Sequence, residues 1–184
     1  MARRVTNRNL KSQSTSMELD EKQFRNALGR FATGVCVVSA INQSGAIIGM
    51  TINSFSSISL TPSLVQWSIK NRAACYSLFA DLAAYSISFL SQKQLDISNR
   101  YARAGNHLMH HGDYLLSSNG IPFVKDSLAH FECRGWRTYQ AGDHDIIVAI
   151  VSDFSNHTHE EPLVFYKGAY RSLIADSGGG VSDR

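Results

Sequence analysis

Apolar residues recur at helical spacing near Asp20, which has N-cap chemistry. Phe24, Ala27, Leu28 and Phe31 share one face, so the pattern predicts an amphipathic helix over 20–32, ended by Thr33-Gly34. The pattern then turns extended. Val35 to Ile41 and Ala46 to Thr51 flank the turn residues Asn42-Gln43-Ser44-Gly45, which predicts a hairpin over 35–51. Asn53 to Leu60 is dense in hydroxyls but alternates with Phe55 and Ile58. Thr61-Pro62 breaks it, and Leu64 to Ile69 is a further strand. Leu78, Phe79 and Leu82 suggest a helix over 72–83, and Ala84 to Leu90 a strand. Ser91 with Gln94 has the form of a capping box for a helix over 92–104. Residues 105–122 carry Gly105, Gly112, Gly120 and Pro122 with His107, His110 and His111. They are expected to form a long loop, a candidate lid or binding segment. Leu128 to Thr138 and Asp145 to Phe154 are long strands, and 163–166 with 169–173 form a last short pair.

Seven or eight strands and three short helices do not alternate strictly, which disfavours a doubly wound parallel sheet. The expected fold is mostly β, an antiparallel barrel with a few peripheral helices. Residues 1–18 form a polar arm, 19–174 one domain and 175–184 a flexible tail. With 43% hydrophobic and 18% charged residues among 184, the chain has a globular composition. Its longest apolar runs, such as Ile146 to Val151, fall far short of the ~20 residues that span a bilayer. The net charge of +3 is concentrated in Arg3, Arg4, Arg8 and Lys11. Neither a nucleic-acid nor a membrane partner is expected, and the arm lacks the apolar stretch of a secretory signal, so a cytoplasmic chain is expected. The arm reads as a solvated leader or as a basic docking segment. Cys36, Cys75 and Cys133 are too few for a disulfide scaffold and lie in apolar segments, where they are expected to act as small buried hydrophobes.

Four constellations bear on chemistry. Gly49 to Ser59 crowds small polar side chains where a strand enters a turn. It suits a flat ring with alternating carbonyl and nitrogen edges, or a phosphate, and equally a turn held by its own side chains. Ala141-Gly142-Asp143-His144-Asp145 presents a histidine between two long strands, as an acid, base, hydrogen-bonding group or plain hairpin residue. Lys70-Asn71-Arg72-Ala73-Ala74-Cys75 joins a strand to a predicted helix whose N-terminus beside two cations is a phosphate-site candidate. His107, His110 and His111, with His157 and His159 later, include a spacing of three that a helix could use at His107 and His110, but there is no Cys-x-x-Cys and the cysteines lie far apart, so no metal is expected. No Rossmann glycine motif, Walker loop or Gly-x-Ser-x-Gly is present.

In order along the chain, four segments resemble one family. They are Phe24 to Val35 (FRNALGRFATGV), Gly49 to Leu60 (GMTINSFSSISL), Gly142-Asp143-His144, and Pro162 to Tyr170 (PLVFYKGAY). The chain resembles the flavin reductase-like proteins, the small reductase components of two-component flavin monooxygenases, over roughly residues 20–174. The resemblance implies an FMN-binding split barrel and a homodimer with flavin at the subunit interface. It implies NADH or NADPH as hydride donor, FMN or FAD as acceptor, and a flavin-dependent oxygenase that receives reduced flavin. Matched by position, Thr51, Ile52, Asn53, Ser54, Ser57 and Ser59 would hold the isoalloxazine and ribityl chain, with backbone N–H groups from Asn53 to Ser57 on the N1–C2=O edge. Lys70, Asn71 and Ala73 would meet the flavin phosphate. His144 would be the catalytic residue beside the nicotinamide, and Tyr170, in the last of the four motifs, would be a cofactor-binding residue near the pocket. Ser88 is matched to a cofactor position where the family often has Asn.

The chain departs from the family pattern at Ala73 and Cys75, where Ser and Thr are common, and at Gln66-Trp67, where an aliphatic pair is usual. The missing hydroxyls leave open which flavin is preferred. Hydride transfer between two cofactors needs no protein nucleophile, which fits the absence of any nucleophile–base pair. Rival expectations are a flavin-binding sensor or carrier on the same barrel, a pyridoxamine-phosphate-oxidase-like enzyme using Arg100, Arg103, Arg134 or Arg137, and a haem barrel using His107.

Overall fold

The structure, a computed structural model, describes residues 19–173 apart from 81, 106 and 158. The expected arm, the tail and position 174 lie outside the described residues. Helix α1 (Glu21–Leu28) starts where Asp20 Oδ1 accepts the N–H groups of Lys22 (2.8 Å) and Gln23 (3.1 Å). It ends earlier than its apolar spacing predicts. Thr33–Gly34 is drawn off as a short strand, β1, and the Gly29 carbonyl accepts from Lys167 N–H at 2.8 Å.

The expected hairpin forms as β2 (Cys36–Ile41) and β3 (Ile47–Ile52), paired from Cys36–Ile52 to Ile41–Ile47. The Asn42 side chain stabilises its turn by accepting the N–H groups of Ser44 and Ala46. Strands β4 (Ser56–Leu60) and β5 (Ser63–Lys70) follow. Along β5 the chain alternates: Val65, Trp67 and Ile69 are buried, while Gln66, Ser68 and Lys70 face outward. The departure at Gln66-Trp67 therefore places an indole in the core. Its Nε1–H donates to Tyr85 OH at 3.0 Å, with the rings edge to face.

The helix predicted over 72–83 is a correction. Among the described residues of that span only one helical turn forms, α2 (Tyr76–Phe79), with no side-chain cap at Cys75. Ala73 N–H closes a turn onto Lys70 O, and strand β6 (Ala84–Phe89) claims the chain soon after Phe79 has reached the core. Ser91 and Gln94 make the expected capping box, but it opens a 3-10 turn (Gln92–Gln94) that leads into α3 (Leu95–Tyr101).

The segment expected as a loop is more ordered than that over residues 107–122. Gly49 N–H donates to His107 O and Met109 N–H to Ile47 O, so 107–109 lies along the outer edge of β3. Strand β7 (Tyr114–Leu116) then pairs with β8 (Pro122–Val124). This order is carried by backbone bonds and by Tyr101, whose hydroxyl donates to Asp113 and accepts from His110 N–H. A pattern of glycines and histidines does not reveal it.

The long strands β9 (Ala129–Ala141) and β10 (His144–Asn156) pair through two irregularities, and β11 (Val164–Tyr166) and β12 (Ala169–Arg171) close the chain. The main sheet is antiparallel in the order β3-β2-β6-β9-β10-β5-β4, with β1-β11-β12 as a second sheet. Two cores result. One lies inside the barrel around Val38, Trp67, Phe79, Tyr85 and Ile87. The other lies under α3 around Val37, Leu90, Tyr101, Val124 and Leu163. This is the expected split barrel. The three cysteines are free and buried, and burial pushes the Cys36 and Cys133 thiols up to about 12.

Candidate functional site

Asn53 is the exposed residue where β3 leaves the sheet, and it borders two cavities. The first, of about 490 Å³, is lined mainly by apolar side chains including Phe31, Phe55, Phe89 and Leu163. Phe55 and Phe89 meet edge to face at 5.0 Å and form a firm aromatic wall. Thr33 also borders this cavity, and its Oγ1 is buried without a hydrogen-bond partner. A buried orphan hydroxyl is costly unless a ligand completes it. The second cavity, of about 200 Å³, lies between Val35, Thr51, Ile52, Ala102, Phe165 and Tyr170, with Asn53 at its border.

Thr51, Ile52, Asn53 and Tyr170 are thus brought together. Their spacing is set by a residue that the sequence does not advertise. Ser98, fully buried on α3, accepts the Thr51 hydroxyl on its carbonyl at 2.8 Å and holds its Oγ 2.8 Å from Tyr170 OH. One helical residue therefore ties β3 to β12 across the smaller cavity. Thr33 lies inside the family-like segment Phe24 to Val35, but nothing in its spacing marks its hydroxyl. Ser98 carries no sequence signal at all.

Ser54 is fixed to β5: its Oγ accepts Ser68 N–H at 3.0 Å and donates to Ser68 O at 3.2 Å. Ser57 and Ser59 lie further along β4. Ser57 is exposed, and Ser59 Oγ accepts Thr61 N–H at 3.1 Å. Ser88 stands apart from this group. It is fully buried on β6, and its Oγ accepts Val124 N–H at 3.0 Å, which tethers β8 to the barrel.

Lys70, Asn71 and Ala73 meet His144 at the end of β5. His144 pairs with Lys70 in register, Asn71 N–H donates to Asp143 O at 3.0 Å, and Asn71 Nδ2 donates to Gly142 O at 3.3 Å. Gly142 takes φ +67 in the tight turn, a conformation that suits glycine. The Ala73 and Asn71 amides are committed to these internal bonds, and α2 is one turn long. Positive charge in this loop therefore comes from Lys70 and Arg72, not from a helix end. Lys70 Nζ also faces Asp143 Oδ2 at 4.0 Å.

His144 Nδ1 lies 2.8 Å from Asp143 Oδ1, and the imidazole is 44% exposed. The bond to His144 holds the Asp143 carboxyl below its usual range, so Asp143 is an acceptor at neutral pH. A neutral imidazole donating from Nδ1 presents Nε2 as an acceptor. Among the described residues, no group of three or more His, Cys, Asp or Glu is placed to hold a metal ion, and no helix is long and apolar enough to cross a membrane.

The donor set fits a flavin. An aromatic-walled cavity bordered by the polar groups of Thr33 and Asn53 suits a large flat ring with one polar edge.

Comparison with known proteins agrees. Residues 28–173 match the family model described as a flavin reductase like domain. The chain is 40% identical over 151 residues to the FMN reductase (NADH) SmoA of Agrobacterium fabrum, covering 82% of this chain and 85% of that one. It is 28% identical over 158 residues to the flavin-dependent monooxygenase reductase subunit HsaB of Rhodococcus jostii, covering 86% and 80%. The structure of the Streptomyces globisporus NADH:FAD oxidoreductase SgcE6 with NAD and FAD fragments superposes with a TM-score of 0.80 at 30% identity, over 86% of this chain and 96% of that one. By its fold, its ordered motifs and these matches, the chain belongs to the flavin reductase-like family.

Proposed function

We propose that this protein is a flavin reductase that oxidises NADH, reduces FMN or FAD and supplies the product to a flavin-dependent oxygenase. The observation that carries the reading is the pair of cavities at Asn53, one aromatic-walled with the orphaned Thr33 hydroxyl, in a chain of this family. The relatives include an NADH-dependent FMN reductase and a monooxygenase reductase subunit, which favours NADH and an oxygenase partner.

Bound flavin would supply the hydride acceptor. The residues of this chain do the placing. Thr33 and Asn53 offer hydrogen bonds at the ring edge, Thr51 and Tyr170 bound the adjoining cleft, and Lys70 and Arg72 offset phosphate charge. His144 Nε2 accepts from the nicotinamide carboxamide while Asp143 holds the ring. It orients the donor and moves no proton. The apolar walls exclude water, and alignment of the two rings is the main catalytic contribution.

The reading also includes a homodimer in the cytoplasm. Helix α1 buries none of its residues, and Phe24 and Leu28 on its apolar side, with Phe31 just past its end, remain largely exposed, which supports a second copy as the cover. Sedimentation at micromolar concentration tests this, and a single species of 20.3 kDa would refute it.

The deciding experiment follows NADH and NADPH absorbance at 340 nm with FMN, FAD or riboflavin added. Turnover that depends on added flavin supports the reductase. Flavin binding without turnover for any pair would make the chain a sensor or carrier instead.

A further inference from the structure

The loop after β5 and the hairpin tip that carries His144 are fastened to each other more firmly than sheet pairing requires. Beyond the ladder contact of Lys70 with His144, Asn71 reaches the tip with both its backbone N–H and its side-chain amide. A third link comes from deeper in the chain. The Tyr76 hydroxyl, from the single turn α2, donates to Asp145 Oδ2. Asp145 is 9% exposed and directly follows His144. Burial of a carboxylate is unfavourable unless a donor completes it, and Tyr76 does so from the far side of the loop. Residues 70–76 and 142–145 are therefore bracketed at both ends.

We infer that Tyr76 and Asp145 form a positioning pair that couples the phosphate-binding loop to the dinucleotide-binding imidazole, so that a phosphorylated flavin strengthens NADH binding. The inference rests on the proposed roles of Lys70 and His144. Lys70 Nζ and the Asp143 carboxylate face each other at 4.0 Å, and Asp143 holds His144 on its other oxygen. A phosphate at Lys70 draws the ammonium from Asp143, leaving that carboxylate to the imidazole alone. The Tyr76–Asp145 bond keeps the loop from moving away from the tip as this happens. Without it, only Asn71 and the ladder contact fasten the loop to the tip, and the coupling weakens. Coupling of this kind is reciprocal and is measured as a ratio of affinities.

The test uses oxidised NAD, which binds without reacting, titrated calorimetrically into protein saturated with FMN or with riboflavin, which lacks the phosphate. The wild-type chain is expected to bind NAD about fivefold or more tightly with FMN than with riboflavin. Tyr76→Phe and Asp145→Val should lower that ratio at least about twofold, whereas Asp145→Asn, which keeps an acceptor for the tyrosine, should retain it. On the wild-type chain, FMN but not riboflavin should slow hydrogen exchange at the amides of 143–145, a readout that needs no folded variant. An unchanged ratio in Tyr76→Phe, or equal protection by both flavins, overturns the inference. A wild-type ratio of one has two origins, which Lys70→Ala separates. If that variant loses its preference for FMN over riboflavin, the loop does hold phosphate and only the coupling is wrong. If it binds FMN as before, the phosphate assignment fails and the coupling fails with it.

Discussion

Ser98 Oγ sits 2.8 Å from Tyr170 OH while the carbonyl of the same serine accepts the Thr51 hydroxyl. The walls of the smaller cavity are thus spaced by one buried residue on α3. Ser98→Ala removes the Tyr170 tie and leaves the carbonyl contact in place. The expected result is a flavin dissociation constant raised about three- to tenfold, in keeping with about 1 kcal/mol for a neutral hydrogen bond, with little change in kcat. Tyr170→Phe should do the same, and the double variant should be no worse than either alone. Fluorescence quenching of the flavin measures all three, and additive losses would show that the two groups act separately.

For His144 the expected loss falls on the nicotinamide. His144→Ala should lower kcat/KM for NADH about 10- to 100-fold while flavin affinity stays within about twofold. His144→Gln keeps an acceptor and should recover part of the loss. Steady-state kinetics with each substrate varied in turn checks this, and unchanged Michaelis constants in the alanine variant would remove His144 from the site.

The sequence made the barrel legible because alternation and turn chemistry dominate its strands. The β2–β3 hairpin, the β5 alternation and the Ser91–Gln94 box all follow from residues adjacent in the chain. What it left hidden depends on distant partners. Leu78, Phe79 and Leu82 have helical spacing, but Phe79 needs only one turn to reach the core before β6 begins. Ser88 matched a cofactor position, yet its neighbour is Val124 N–H, 36 residues away. The Tyr76–Asp145 bond spans 69 residues, and no local pattern encodes it.

Trp67 and Tyr85 give a test of the core. Both are almost fully buried, and Tyr85 OH accepts the indole N–H while burial raises that hydroxyl well above its ordinary range. Tyr85→Phe leaves the indole N–H unpaired, at a cost of about 1–3 kcal/mol. Thermal unfolding should show a midpoint several degrees lower, with the reductase rate per folded molecule unchanged. An unaltered midpoint would mean that the indole finds another acceptor.

His130 predicts how stability responds to acid. Burial first, and then the neighbouring His157, hold its imidazole below the usual histidine value. Its Nδ1 lies 2.7 Å from His157 Nε2, and Glu132 and Asp153 oppose the shift. The unfolded chain therefore binds more protons than the folded one from about pH 6.5 down to the folded value, so stability is lost as pH drops through that window. The melting temperature of the wild type should drop more steeply on acidification through that window than that of His130→Gln. Parallel profiles would assign the acid sensitivity to other groups.

The segment 107–109 has a consequence for behaviour in a crowded solution. A sheet edge offers a ready template for a foreign chain, and the β3 edge is already occupied by His107 and Met109 from the same molecule. The opposite edge, β4, carries the exposed Ile58 and Leu60 and an irregular register between Ser57 and Ser59. Growth by strand addition is thus foreclosed on one side and left to a single, kinked border on the other. Replacing Met109 with proline would remove the N–H that Ile47 O accepts and reopen the protected side, turning a self-limiting sheet into one that other chains can extend.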